Sequence, residues 1–335
     1  MRRAVAENFC GLLDSLGCLD ASLRLRKARY ILAYHRVLTA QEAASEWCHP
    51  SLWVSPGTFA RHLQVLTTLG RVLPVSQLLQ TPATHENLFA LTFDDAWADN
   101  FHSALPIMQR YGMTACFFVA TDAVDSGRLF WTEELALDIG RSFEKDGGAA
   151  FMRRYGDGRA AAARASTEAL LAVLMCLIER LKELAAPERE AAIAELYREL
   201  GAQRGAHTGR IMSWSQLRTL AAAGHIIGSH TRTHRILTGT AADIVDAEMT
   251  ESRHTIEREI GAAPDLFCFP NARFDRVSAS RVLANGYRYG FAMHNRPVAR
   301  HLRPELVTRF SMCEKNSRPA ILKARWLKSW LASPL

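Results

Sequence analysis

Two pairs of residues in this chain are of types that can do chemistry together. Asp94 and Asp95 close the apolar run Leu88–Phe93, and His230 and His234 follow the run His225–Ser229. Adjacent carboxylates can divide their work, one holding a cation and the other moving protons. Two imidazoles with one carboxylate make a three-ligand set for a catalytic Zn²⁺ with an open position, where the pKa of a water falls towards neutrality. On a helical turn, positions i and i+4 share a face, which would bring the two histidines together. Spacing alone decides little. With 12 His in 335 residues, chance supplies about 0.4 such His pairs and about 0.6 Asp-Asp pairs. The plain alternatives are turn and capping roles for the aspartates and solvated or capping histidines. Position favours chemistry, because functional groups gather at strand C-termini in parallel α/β sheets and barrels.

The elements that must position these pairs are legible as short apolar runs separated by helical patterns. The runs are Tyr30–Val37, Leu88–Phe93, Ala115–Thr121, His225–Ser229, Leu266–Pro270, Tyr289–Met293 and Leu306–Phe310. Several are apolar on both faces, as buried parallel strands are. Phe59, Leu63, Leu66 and Leu69 line one helix face before Gly70. Ser213 and Gln216 form a capping-box pattern, and Thr240 to Gly261 reads as another helix. The alternation predicts an α/β fold, a parallel sheet or barrel, over residues 30–132 and 206–315. Residues 133–205 break the rhythm. They are rich in Ala, Leu, Glu and Arg, with Pro187 opening one helix and Gly201 following it, and read as a helical insertion or cap.

Composition bounds the rest. The chain is 48% hydrophobic and 22% charged, which is globular and excludes collagen-like, disordered and disulfide-scaffold classes. No apolar stretch is long enough to span a membrane, and no clean signal segment opens the chain. Seven cysteines without C-x-x-C spacing read as reduced thiols, with Cys116 and Cys268 in the core. The expected setting is cytoplasmic, peripheral to the inner membrane. The formal charge of +7 belongs to the ends: residues 1–36 carry seven basic and three acidic side chains, and residues 300–335 carry eight and two. This argues against a nucleic-acid-binding face and allows contact of the basic ends with a membrane surface. In segment 1–29, Phe9, Leu12, Leu13 and Leu16 fit an amphipathic helix. The tail 316–335 mixes Trp with Lys and Arg, and Lys323 interrupts its apolar arc. Packing on the body is the plainer expectation for both, and a monolayer contact is the sharper one.

The chain resembles the polysaccharide deacetylase (NodB homology) family, carbohydrate esterase family 4. The carrying residues are Leu91-Thr-Phe-Asp-Asp95 and Ser229-His-Thr-Arg-Thr-His234. Supporting stretches are Tyr34-His-Arg-Val37, Gly112-Met-Thr-Ala-Cys-Phe-Phe-Val119, Gly224-His-Ile-Ile-Gly-Ser229 and Phe267-Cys-Phe-Pro270. The resemblance implies a distorted (β/α) barrel of about seven strands and hydrolysis of an N-acyl, usually N-acetyl, group from an amino sugar. It implies that Asp95, His230 and His234 hold a divalent metal, Zn²⁺ being the expected one, and that Asp94 is the general base. The backbone N–H of Asn271, after Pro270, would help stabilise the oxyanion.

Three departures from the family pattern matter. Ala96 stands where Gly usually follows the Asp pair. Cys268 occupies the region of the Arg that often precedes the motif's Pro. The late L-x-H motif that often supplies the general acid is absent, and the matching strand reads Leu306-Val-Thr-Arg-Phe310. Arg309 is then a candidate to supply positive charge near the base, and His294 and His301 are candidate acids. His35 ends the first strand and is a candidate to line the site. Trp131, which with Glu134 opens the insertion, is a candidate to stack on a sugar ring or to pack between cap and barrel. The expected partner is an acylated amino sugar of a cell-surface polysaccharide or its precursor. Deacylation or deformylation of a lipid-linked sugar at the inner membrane face is a variant. A catalytically silent carbohydrate-binding barrel is the contrasting class, and retention of Asp94 argues against it. The lack of a G-x-S-x-G elbow argues against a serine hydrolase.

Overall fold

The computed structural model describes residues 2–25, 27–82, 85–156, 165–299, 301–316 and 318–331. Seven parallel strands form a closed barrel: β1 (Arg29–Tyr34), β2 (Asn87–Asp94), β3 (Ala115–Val119), β4 (Ile226–Ser229), β5 (Leu266–Cys268), β6 (Tyr289–Met293) and β7 (Val307–Ser311). They follow one another around the barrel, and β1 closes it by pairing with both β2 and β7. All seven apolar runs became barrel strands. The first run breaks at His35, because Arg36–Val37 leaves the barrel to pair with Trp53–Val54. The strand Gly70–Val72 pairs with the first residues of β2, before β3 takes over at Leu91. That hand-over is where the barrel is distorted.

Alternate residues sort to the two sides of the wall. Ile31, Leu88, Ala90, Cys116, Phe118, Cys268, Phe291 and Val307 fill one buried cluster contributed by the strands. An added Cβ at Gly228 would lie 2.7 Å from the Phe118 ring, so glycine there makes room for a filling aromatic. The opposite faces carry Tyr30, Tyr34, Phe89, Phe93 and Phe117, which pack ring on ring. Helix Pro56–Leu69 covers part of that surface with Phe59, Leu63, Leu66 and Leu69, starting at a Ser55 cap with Pro56 in the first turn. Helix Trp214–Ala222 starts at the Ser213–Gln216 capping box. Helix Ala242–Ile260 ends at left-handed Gly261.

The C-terminal helix Pro319–Leu331 packs on the body. Trp326 is fully buried against Tyr30 and Phe89. Lys323, the break in the apolar arc, is buried too, and bridges Asp14 at 2.8 Å and Asp20 at 2.5 Å. Residues 332–335 lie outside the described residues. Among the described residues, no helix is long and apolar enough to cross a membrane. All seven cysteines are free thiols.

A second compact unit comprises Ala40–His49 and Arg128–Thr208. It is helical, with Trp131–Asp146, Ala149–Tyr155, Thr167–Lys182 and Ala186–Leu200 around a core of its own. The sequence reading placed residues 40–49 with the barrel, and the structure corrects this. The Trp47 ring lies edge-on to Phe143, and Gly140 leaves the space that the indole fills. Asp138 accepts hydrogen bonds from Tyr197 and the Gly205 N–H and meets His207 at 2.7 Å, tying the returning chain to the unit.

Candidate active site

β2 brings both carboxylates to the C-terminal end of the barrel, and the backbone then turns sharply. Asp95 and Ala96 both have positive φ, 76° and 58°. Ala96 thus takes the conformation that glycine would adopt without a Cβ clash. Its carbonyl is held by the Met212 N–H at 2.8 Å, and Ala98 N–H reaches Arg210 at 2.7 Å, so the turn is clamped from outside. Ala96→Gly is expected to stabilise the fold by up to about 1 kcal/mol, since left-handed strain at a non-glycine residue costs roughly 1–2 kcal/mol. A urea midpoint that falls would count against strain at this turn.

Asp94 is buried and clasped by Arg309 from β7. The guanidinium donates to Oδ1 at 2.7 Å and to Oδ2 at 2.8 Å, and also to Thr92 and to the Cys268 sulfur. Burial alone would raise the Asp94 pKa. Arg309, then His230 and His35, outweigh it and hold the carboxyl below its ordinary value. Burial also opposes the charge on Arg309, and Asp94 more than restores it. Burial keeps the Cys268 thiol protonated by raising its pKa. The fork geometry of the pair fixes the carboxylate plane as well as its charge.

The two histidines do not sit on a helical turn. Residues 230–234 form an irregular loop with positive φ at Thr231 (68°) and His234 (60°). That bend brings the rings to a centroid separation of 5.0 Å. His230 donates from Nδ1 to the Cys268 carbonyl at 2.7 Å, which turns Nε2 towards Asp95. His230 Nε2 and His234 Nε2 lie 3.5 and 3.3 Å from Asp95 Oδ1.

Two supporting residues were invisible in the sequence. Glu248, buried on helix Ala242–Ile260, accepts from the backbone N–H groups of Arg232 and Thr233 and from the Thr233 hydroxyl, at 3.0, 2.8 and 2.6 Å. It therefore holds the loop between the histidines. In the sequence it looks like any charge on an amphipathic helix. Trp97 donates from Nε1 to Asp95 Oδ2 at 3.2 Å, and the Arg36 guanidinium lies 4.0 Å over its ring. Arg36 is itself paired with Asp99 at 2.9 Å. Only the nearness of Trp97 to the Asp pair could have drawn attention to it. Glu248→Ala is expected to weaken cation binding 10- to 100-fold, the scale for groups that orient ligands. Calorimetric titration with Zn²⁺ checks this, and unchanged affinity would leave Glu248 a purely structural role.

The donor set fits a cation on the chain's own geometry. Ligand atoms of Asp95, His230 and His234 all lie within 4.8 Å of one another. Asp95 Oδ1 is buried without a hydrogen-bond donor, facing two imidazole nitrogens. Such a group is costly unless a positive charge meets it. Asp94, His230 and Cys268 form a second close trio, but Asp94 is occupied by Arg309 and Cys268 is a thiol.

His35 Nε2 lies 3.8 Å from Asp94 Oδ2. Pro270 is buried just after β5, and Asn271 is exposed with φ 54°. Trp131 belongs to the helical unit, packed against its core with Arg189 over the ring at 5.0 Å. His294 is exposed and edge-on to Phe274 at 5.6 Å. His301 is exposed.

A profile of the polysaccharide deacetylase family matches residues 81–290, well over half of the chain. The chain belongs to this family. Polysaccharide deacetylases are hydrolases of carbon–nitrogen bonds other than peptide bonds, and the matched span holds Asp94, Asp95, His230 and His234. No curated protein matches the chain. Among solved structures, the Streptococcus pyogenes deacetylase PplD, in complex with acetate, is 16% identical, with 92% of this chain and 99% of that chain covered and a TM-score of 0.59. IcaB from Ammonifex degensii is 14% identical, covering 89% and 97%, with a TM-score of 0.56. A de-N-acetylase from Aggregatibacter actinomycetemcomitans is 15% identical, covering 88% and 98%, with a TM-score of 0.53. At these identities the likeness is one of fold, and it agrees with the seven-stranded polysaccharide deacetylase barrel.

Proposed function

We propose that the chain removes the N-acyl group, N-acetyl in the first instance, from an amino sugar of a cell-surface polysaccharide or its precursor. The observation that carries this is the donorless Asp95 oxygen between two imidazole nitrogens, beside an ionised Asp94. Asp95, His230 and His234 would hold a divalent cation, Zn²⁺ by the chemistry of the donor set. When bound, that ion supplies Lewis-acid polarisation of the acyl carbonyl and makes a nearby water more acidic. Asp94 takes the proton from the attacking water as the carbon–oxygen bond forms. The Asn271 N–H is assigned to the developing oxyanion and His35 to the substrate side of Asp94. Trp131 is kept as a candidate for sugar stacking.

Arg309 makes Asp94 a modest base but its conjugate acid a strong one. That suits a single carboxyl that receives a proton from water and passes it to the leaving amine as the carbon–nitrogen bond breaks. The acetate in the PplD structure is the acid that such a cleavage would release, which supports the reading. The test is acetate release from N-acetylglucosamine oligomers by the Zn²⁺-loaded chain. His234→Ala is expected to lose its bound ion, read by elemental analysis, and with it at least ~100-fold in rate. Full ion occupancy in that variant would sink the ligand set. A loaded wild type that binds the oligomers yet releases no acid would leave the silent barrel.

A further inference from the structure

The first helix, Arg2–Ser15, is attached through its carboxylates. Glu7 and Asp14 turn towards the C-terminal helix, where they pair with Arg318 at 3.3 Å and Lys323 at 2.8 Å. Phe9 and Leu12 are 59% and 56% exposed, and Leu16, one residue past the helix, is 67% exposed. Their i, i+3, i+7 spacing puts them on one face. A helix present only to stabilise the barrel would bury that face and leave its carboxylates in water. Here Glu7 and Asp14 attach the helix, with Cys10 and Leu13 half-buried, while Phe9 and Leu12 are left outward.

The charge around this helix identifies what the face meets. Residues 1–36 contain three acidic side chains, Glu7, Asp14 and Asp20. All three are paired, Asp14 and Asp20 with Lys323 of the C-terminal helix and Glu7 with Arg318 just before it. Residues 1–36 and 300–335 together hold fifteen basic side chains against five acidic ones, so a net positive charge remains on the two ends even with Arg36 and Arg309 paired elsewhere. Lys27 and Lys328 are exposed, and among the described residues neither has a carboxylate partner. A second copy would bring like charge to like charge. An anionic bilayer gains from both the apolar stripe and the cations.

We propose that this surface docks the chain on an anionic lipid bilayer, with Phe9, Leu12 and Leu16 at the boundary of headgroups and acyl chains. Trp326 of the C-terminal helix is buried, so the exposed apolar stripe at this end of the molecule is that of the first helix. The inference stands apart from the reaction at the barrel mouth.

The test is co-sedimentation of the full chain with vesicles of phosphatidylcholine, alone or with about 30% phosphatidylglycerol. Wild type is expected to sediment with the anionic vesicles, less so in high salt. The triple variant F9S/L12S/L16S is expected to partition at least tenfold more weakly, with unchanged melting temperature and unchanged acetate release from soluble oligomers. Equal partitioning of the triple variant, or no sedimentation of wild type with anionic vesicles, overturns the proposal. So does a dimer in gel filtration that the triple variant abolishes while neither protein binds vesicles, because the occupant is then a second copy.

Discussion

Asp94→Asn is expected to keep its bound cation and to lose at least ~100-fold in kcat, with 10²–10⁴-fold the usual scale for a proton-transfer group. The cation ligands Asp95, His230 and His234 are untouched by the change, so ion content measured on the purified variant separates a lost base from a lost site. The amide still offers Arg309 one oxygen, so the side chain can keep its place while it can no longer accept a proton. KM is expected to move little, because the group acts on the water and not on the sugar. Rates of acetate release that match wild type would remove Asp94 from the mechanism.

Arg309→Met is expected to cost about 3–5 kcal/mol of stability, because it leaves the Asp94 carboxylate buried without its partner. It should also move the acid limb of the pH–rate profile upward. In the wild type, folding depresses the Asp94 pKa. The ion pair therefore stabilises the folded chain above the unfolded carboxyl's pKa, and the stabilisation is lost as pH falls through the lower folded value. Without Arg309, burial pushes the carboxyl up with only the two histidines opposing. Arg309→Lys should restore charge but not the two-pronged geometry, and so recover the acid limb better than the rate. A Met variant with the wild-type limb and melting temperature would show that the pair does not set the charge state of Asp94.

The barrel was legible because its strands are buried on both sides and so appear as unbroken apolar runs, from Leu88–Phe93 to Leu306–Phe310. The site was legible as residues and illegible as geometry. The pattern named His230 and His234, but a helical turn was the wrong device to join them. The bend rests on positive φ at Thr231 and His234, which no composition rule announces in residues other than glycine. Arg309 was read as a charge near the base from its place on the last strand, and its two-pronged grip on Asp94 needed the closed barrel. Glu248 and Trp97 went unread because their partners are loop amides and a carboxylate that only tertiary packing brings near. The shift of residues 40–49 to the helical unit has the same cause, since Trp47 meets Gly140 and Phe143 far along the chain.

The Asp94–Arg309 pair joins residues 215 positions apart. Asp94 leaves the ribosome early and its partner arrives with the seventh strand, which also pairs with β1 and closes the barrel last. Until then the carboxyl has neither its fixed plane nor its depressed pKa, and a nascent or partly unfolded chain carries every cation ligand without a working base. Activity is therefore a report on completed barrel closure. In a refolding experiment, turnover should return with the slowest phase, after the histidine loop can already hold its ion.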